Sequence, residues 1–437
     1  MEKRNIAIIG AGFGGLSAAF DMVNAGCKVT VFESSNIPGG LAAGYKEPGW
    51  EWSVEKFYHH WFTSDTHMFK LIRELGLSSK VMVRSPKTVM FFKDKFYPFD
   101  SILSALLYPG LGYGINKIRF GLVGVYLRLT KNWKPMEKTT VGAWMRKWAG
   151  KKVYSEMWEP MVIGKFGEKY AEQVNMAWMW ARLHARSTNL VTYEGGFQAF
   201  ADDFAAALLK LGVEIRYNTA VEKITSRTDG KVNLTLNGGD EVFDQVLVTQ
   251  SPALMAKMTP QLPADYLKGL LDLKSIGAVV LTITLKHALS REGYYWYNLP
   301  KSAGFPFLAL VEHTNFLPKE KYGGEHILYC GDYLETDHDY FKLTKEELLE
   351  RFMPSFTRIN PDFSPEWVNR TWLTRSNYAQ PVPLVNHSQN IPAIKTPLPG
   401  IFFASMSQVY PWDRGTNFAV EIARRAAKLM AQEYVNE

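Results

Sequence analysis

The stretch NIAIIGAGFGGLSAAFDMVNAGCKVTVFE, from Asn5 to Glu33, constrains this chain more than any other. The apolar run Ile6–Ile9 reads as a buried parallel strand. Gly10, Gly12 and Gly15 follow at the G-x-G-x-x-G spacing, with Phe13 and Gly14 inside it. Leu16, Ala19, Phe20 and Val23 then repeat at helical spacing until Gly26, and Val29–Phe32 reads as a second buried strand, closed by Glu33. A strand, a tight glycine turn, a helix and a second strand make a βαβ unit.

The residue types explain the chemistry. Glycine at the first position permits the turn, at the second lets backbone N–H groups approach a pyrophosphate, and at the third lets helix and strand pack closely. The helix N-terminus carries about half a positive charge, which suits phosphate. Glu33, with Ser34 beside it, stands 18 residues after Gly15, where a carboxylate accepts the hydroxyls of an adenosine ribose. An acid there selects a free 2′-hydroxyl, hence FAD or NAD over NADP.

SSNIPGGLAAGY separates the two, because Gly39-Gly40, with Leu41 after it, sets a second glycine pair just past the acid. That pair resembles the extended dinucleotide motif of the flavoprotein superfamily containing monoamine oxidase, phytoene desaturase and protoporphyrinogen oxidase, whose members usually continue with arginine where this chain has Leu41. YEGGFQAFADDFAAALLKLGVEIRYNTAVEKI is similar to the glycine-pair helix and following strand of that superfamily, and the resemblance implies that Val221 meets the adenine. PGIFFASMSQVYPWDRGTNFAVEIARRAAKLMAQ resembles its last strand and helix, with Ser405-Met406 in place of the usual Gly-Asp. The helix entry Gly415-Thr416-Asn417, after Arg414, is implied to point its amides at the flavin. Glu159-Pro160, Gly164 and Gly167, together with the loop RSNYAQPVPLVNH, most resemble the protoporphyrinogen oxidase branch.

The resemblance implies an α/β fold with a Rossmann-like FAD-binding domain that is discontinuous, made of residues 1–95, 185–275 and 391–437. Residues 96–184 are expected to form a helical, basic block, and 276–390 a mixed or antiparallel sheet facing the substrate. AVVLTITLK reads as a near-alternating strand opening that sheet, with YYWYNLP, FPFLALVEH and HILYCGDY after it.

The net charge of +7 is unevenly placed. Residues 101–155 hold ten Lys and Arg against one acid, Glu137, so this segment is +9 and the remainder −2. Apolar residues share a helical arc there with Lys117, Arg128 and Lys131, while Trp133, Trp144 and Trp148 are interleaved. Two readings stay open: a monotopic membrane patch, or a solvated face over a core. Nucleic acid would use the same charge, but no recognised nucleic-acid fold accompanies it. No run of 18 apolar residues appears, and the basic N-terminus leads straight into a strand rather than a signal peptide. A cytoplasmic location, peripheral on a membrane surface under the first reading, is expected. Cys27 and Cys330 suggest no disulfide framework and no Cys metal site, and noncovalent FAD is expected because neither is placed like a flavin-tethering cysteine.

VEKFYHHWF, Val54 to Phe62, begins 14 residues after Gly40, where in related flavoproteins the chain passes the flavin ring. Lys56, Tyr58, His59 and His60 are therefore the candidate catalytic residues. Adjacent side chains diverge on either regular element, so the histidines do not share a metal, and none is expected. One could accept a proton near neutral pH, or both could be packed among the aromatics. The function implied is an FAD-dependent oxidoreductase that dehydrogenates a hydrophobic substrate (a porphyrinogen, a polyene or prenyl lipid, or an amine) by hydride transfer to flavin N5. Oxygen, a quinone or another acceptor would take the electrons. The alternatives are a non-redox flavoenzyme of mutase or isomerase type using reduced FAD, and a flavin-binding scaffold without catalysis.

Overall fold

A computed structural model describes residues 3–435. Its first layer is a five-stranded parallel sheet in the order Glu214–Arg216, Lys28–Phe32, Asn5–Ile9, Gln245–Val248, Ile401–Phe403. The order reverses beside Asn5–Ile9, whose carboxyl end therefore opens on a crevice at the switch point of the sheet. The glycine loop leaves from that end, and the helix Phe13–Asn24 packs beneath the C-terminal helix Thr416–Val435. Arg424 clamps the two by pairing with both oxygens of Asp21 at 2.8 and 2.9 Å. Gly15 can only be glycine, because a Cβ there would lie 1.9 Å from the carbonyl oxygen of Gly10. A three-stranded antiparallel meander, Val221–Ser226, Val232–Leu236 and Gly239–Phe243, flanks the sheet.

The second layer is a seven-stranded sheet, in the order Val368–Pro381, Ser275–Leu285, His326–Leu334, Ala309–Glu312, Tyr294–Asn298, Lys87–Phe92, Lys95–Pro98. All neighbours are antiparallel except Tyr294–Asn298 with Lys87–Phe92, so the sheet is mixed. That pairing corrects the boundary drawn at residue 95: Lys87–Phe92 leaves the cofactor domain to join the substrate sheet. The strand Ser275–Leu285 also differs from a half-buried alternating one, since every residue after Ser275 is buried. Val279, Leu281, Ile283 and Leu285 meet Leu348, Phe352 and Phe356 of the helix Lys345–Ile359, whereas Val280 packs with Tyr295 and Tyr329 on the other side. Both faces are covered, so alternation survives in direction but not in polarity.

Against the seven-stranded sheet packs a helical block that includes Ile102–Leu107, Ile115–Leu129, Val141–Trp148, Glu159–Ala171 and Met176–Ala185. Its core gathers Val162, Phe166, Trp178 and Met145, all almost fully buried. The helix Ile115–Leu129 ends before Lys131, which corrects the arc read from the sequence: Lys117 and Arg128 are on the helix and Lys131 is beyond it.

Candidate active site and cofactor cradle

The two glycine loops are built against each other. Gly39 takes the left-handed φ of +116°, and its N–H donates to the carbonyl of Ala11 at 2.9 Å, forming a parallel bridge with Gly12. A Cβ on Gly12 would meet only the Cα of Gly40, at 3.9 Å, so the space above that backbone is free. Glu33 is buried and its carboxylate braces the loop, accepting from Ala11 N–H at 2.8 Å and Ser35 N–H at 2.9 Å. With Ser34 Oγ as a third donor, about one of a carboxylate's roughly four acceptor positions is left for a ribose hydroxyl. Ser34 Oγ donates to Glu33 at 3.4 Å. Thr219 N–H and Asn218 N–H bond the carbonyls of Glu33 and Ser35, which fixes the chain two residues before Val221 against the acid. Phe13 and Gly14 serve packing: Phe13 meets Phe200 at 5.0 Å in the core, and Gly14 lies where a Cβ would be 3.2 Å from Ala419 O.

VEKFYHHWF is fastened between this cradle and the C-terminal helix. Glu55 Oε1 accepts from Phe197 N–H at 2.9 Å, capping the helix Gly196–Lys210, and burial pushes the Glu55 carboxyl up to about 7. Lys56 N–H donates to Ala43 O, just past the second glycine loop. Trp61, fully buried, donates from Nε1 to Thr416 Oγ1 at 2.8 Å, and Asn417 Oδ1 accepts from Met68 N–H at 3.0 Å. Thr416 thereby holds the aromatic segment, and Asn417 holds the helix Thr66–Glu74 that follows it. At the end of the strand Ile401–Phe403, Ser405 is likewise engaged, with its hydroxyl 2.9 Å from Tyr378 Oη, while Met406 opens a short turn.

One cavity joins the cofactor loop to the substrate sheet. Leu41, Phe57, Tyr58 and His59 line it from one side, Ala278, Val280, Asp332, Tyr333 and Ala379 from the other, and Arg414 closes it. Tyr58, His59 and Leu41 thus line one cavity. Lys56 does not: with its N–H held by Ala43 O, its side chain lines a separate outer cleft with Tyr45, Trp372 and Arg375. His60 turns from the cavity wall toward Phe62 and Trp296, at 5.3 and 6.0 Å between ring centres.

The electrostatics decide what the histidines can do. His59 Nδ1 lies 2.6 Å from the carbonyl of Phe57; a carbonyl only accepts, so Nδ1 carries the hydrogen and Nε2 keeps a lone pair. Burial pulls the His59 pKa down to about 4, opposed by that carbonyl bond and aided by Arg414. Burial, then His59, Arg186 and Arg182, pull His60 to about 3. With both pKa values pulled this far below 7, neither imidazole carries a proton charge at physiological pH. Between about pH 6.5 and 4 the unfolded chain binds protons at these sites that the folded chain refuses, so their contribution to stability falls as pH falls. His60→Phe should therefore melt progressively higher than the wild type as pH drops from 6.5, and a gap that stays constant with pH would refute the neutral assignment.

Asp413, just before the C-terminal helix, is a site residue that sequence reasoning missed, and Arg414, which the sequence offers only as part of the helix entry, contributes its side chain. Asp413 accepts from Lys165 Nζ at 2.6 Å, Arg182 at 3.1 Å and Trp178 Nε1 at 3.0 Å. Burial opposes its charge, yet Lys165, Arg182 and Arg414 hold the carboxyl far below its ordinary range. Burial, with Arg182 and Arg414 adding to it against Asp413, lowers Lys165 to about 7. Arg414 donates to Gln380 Oε1 at 2.9 Å and to the hydroxyl of Tyr333. Asp332, paired with Lys301 at 3.0 Å, is raised to about 6 by burial.

The family model for flavin-containing amine oxidoreductases matches residues 13–431. The chain belongs to that family. This flavoenzyme is 26% identical over 331 residues to the coproporphyrinogen III oxidase of Staphylococcus aureus, covering 65% of this chain and 68% of that protein. It is 24% identical over 393 residues to the 15-cis-phytoene desaturase of Capsicum annuum, covering 84% of this chain and 62% of that one. In fold it matches a solved Exiguobacterium sp. 255-15 protein, provisionally assigned as a protoporphyrinogen oxidase, with a TM-score of 0.78 at 18% identity, over 99% of this chain and 100% of that one. The cofactor is FAD, as the family implies, and the cradle fits it: Gly12 is open for the pyrophosphate and Glu33 has acceptor capacity for the ribose. Cys27 and Cys330 are both buried in core clusters.

Proposed function

We propose that this flavoenzyme dehydrogenates a hydrophobic substrate in the cavity bounded by Leu41, Tyr58, His59, Ala278, Val280 and Arg414. The observation that carries the reading is that one cavity wall belongs to the cofactor loop, through Leu41, and the opposite wall to the apolar strand Ser275–Leu285. FAD, when bound, supplies the hydride acceptor at N5. The chain's own part is to hold the substrate and exclude water. Ala278, Val280 and Ala379 form an apolar floor, Tyr58 gives an edge, and His59 Nε2 offers an acceptor that fixes orientation without taking up a proton at neutral pH.

The charges rank the substrate classes. Arg414 and Asp332 both reach the cavity; Asp332 is paired with Lys301, and Lys165 and Arg182 stand behind Arg414 with Asp413 shared among them, so four cations surround two carboxylates. A cationic amine would meet like charge, whereas a molecule bearing carboxylates would be drawn in. A porphyrinogen, the class named in the Staphylococcus relative, is therefore placed first, an uncharged polyene such as phytoene second and an amine last. The test is anaerobic mixing of the purified holoprotein with coproporphyrinogen, phytoene or a hydrophobic amine, following the visible flavin absorbance. Bleaching by coproporphyrinogen, lost with Arg414→Ala, is expected. If none of the three bleaches a flavin that dithionite reduces normally, dehydrogenation of these classes is rejected.

A further inference from the structure

Helices of globular proteins turn their apolar stripe inward. Ile115–Leu129 carries a second one outward: Ile115, Ile118, Leu122, Val125 and Leu129 recur every three or four residues and are each between 57% and 73% exposed, while Val123 and Leu127 face the core. The preceding helix extends the face with Ile102, Leu103 and Leu107, between 64% and 74% exposed. A contiguous apolar surface of this kind marks an interaction site.

The rim identifies the occupant. Lys117, Arg119, Arg128, Lys131, Lys134 and Lys138 form no ion pair among the described residues. Lys147 lies over the exposed Trp148 ring at 5.2 Å. Glu137, the segment's single acid, is turned inside and accepts from Ser388 and Tyr410. The face is thus apolar in the middle and carries an excess of positive charge around it, with Asp100 an exposed acid beside the first helix. A second copy would bring the same cations against these, as an isologous contact requires, and be repelled. An anionic lipid surface supplies both an apolar medium and the opposite charge. No helix of the described residues is long and apolar enough to cross a membrane, so the contact lies in the surface plane.

We infer that the helices Ile102–Leu107 and Ile115–Leu129 dock this protein on the surface of an anionic lipid bilayer. Arg128 donates to the carbonyl of Arg186, which ties the docking helix to the end of the helix Met176–Ala185.

Co-sedimentation of the full-length holoprotein tests this, using vesicles of phosphatidylcholine alone and of phosphatidylcholine with phosphatidylglycerol. Partition should favour the anionic vesicles, by about fivefold for each cation that reaches the surface, and weaken as salt is added. Leu122→Asp with Leu129→Asp should reduce it at least tenfold with flavin content and melting temperature unchanged, since both side chains are already in solvent. Equal sedimentation of this variant and the wild type, or no binding to anionic vesicles, would overturn the inference. So would a wild-type dimer in sedimentation velocity that the same variant converts to monomer, because a second copy would then cover the face.

Discussion

Gly12→Asp is expected to give a folded protein that no longer retains flavin. The backbone at Gly12 has φ −70° and ψ 171°, a conformation open to any residue, and a Cβ there touches only Gly40 Cα at 3.9 Å. The fold therefore tolerates the side chain. The cofactor would not, because the free space is the place a pyrophosphate needs. A carboxylate about 4 Å from one phosphate charge costs on the order of 4 kcal/mol at an effective dielectric near 20, roughly a thousandfold in affinity. The measurement is the ratio of FAD to protein after purification, with circular dichroism and the melting temperature compared with flavin-free wild type. Full flavin occupancy in the variant would show that the cradle had been placed on the wrong loop. Gly15→Asp offers no such separation, since a Cβ there lies 1.9 Å from a carbonyl oxygen and the fold itself would fail.

The second large effect is expected at Asp413, whose carboxylate holds Lys165, Arg182 and the Trp178 indole. Asp413→Ala leaves three cations, counting Arg414, in a poorly solvated pocket with no counter-charge. Removing one partner of such a buried pair costs about 3–5 kcal/mol. Lys165, already lowered to about 7, can relieve part of this by losing its proton. Lys165→Met in the Asp413→Ala background should therefore recover part of the lost stability, whereas on its own it should cost some. The denaturant midpoint of the three variants decides the matter. An Asp413→Ala protein that unfolds at the wild-type midpoint would mean the cluster is solvated and contributes little.

The local features were legible because their causes are local. A glycine loop between a buried strand and a helix announces itself within the span Asn5–Glu33, and the structure forms that strand, loop and helix there. The C-terminal helix likewise begins at Thr416, as its polar entry indicated. Errors arose where a partner was remote. Lys87–Phe92 reads as a strand of any sheet, and only its pairing with Tyr294–Asn298 assigns it to the substrate layer. Lys56 looked equivalent to His59 from their shared segment, but the pinning of Lys56 N–H to Ala43 turns its side chain to the outer cleft.

By itself the sequence determined the outline of the nucleotide-binding half, the phosphate turn and the acid for the ribose, while the second glycine pair implied FAD through its resemblance to the superfamily's extended motif. These depend on residues a few positions apart, where spacing and backbone geometry are tied together. It also carried the uneven charge of residues 101–155, since charge is additive along a chain. Only the tertiary structure decided the rest. It set the apolar stripe of Ile115–Leu129 outward, made His59 and His60 neutral by burial, and brought Lys165, Trp178 and Arg182 onto an aspartate more than two hundred residues away. Burial and long-range electrostatics belong to the assembled surroundings of a group, and no window of sequence contains them.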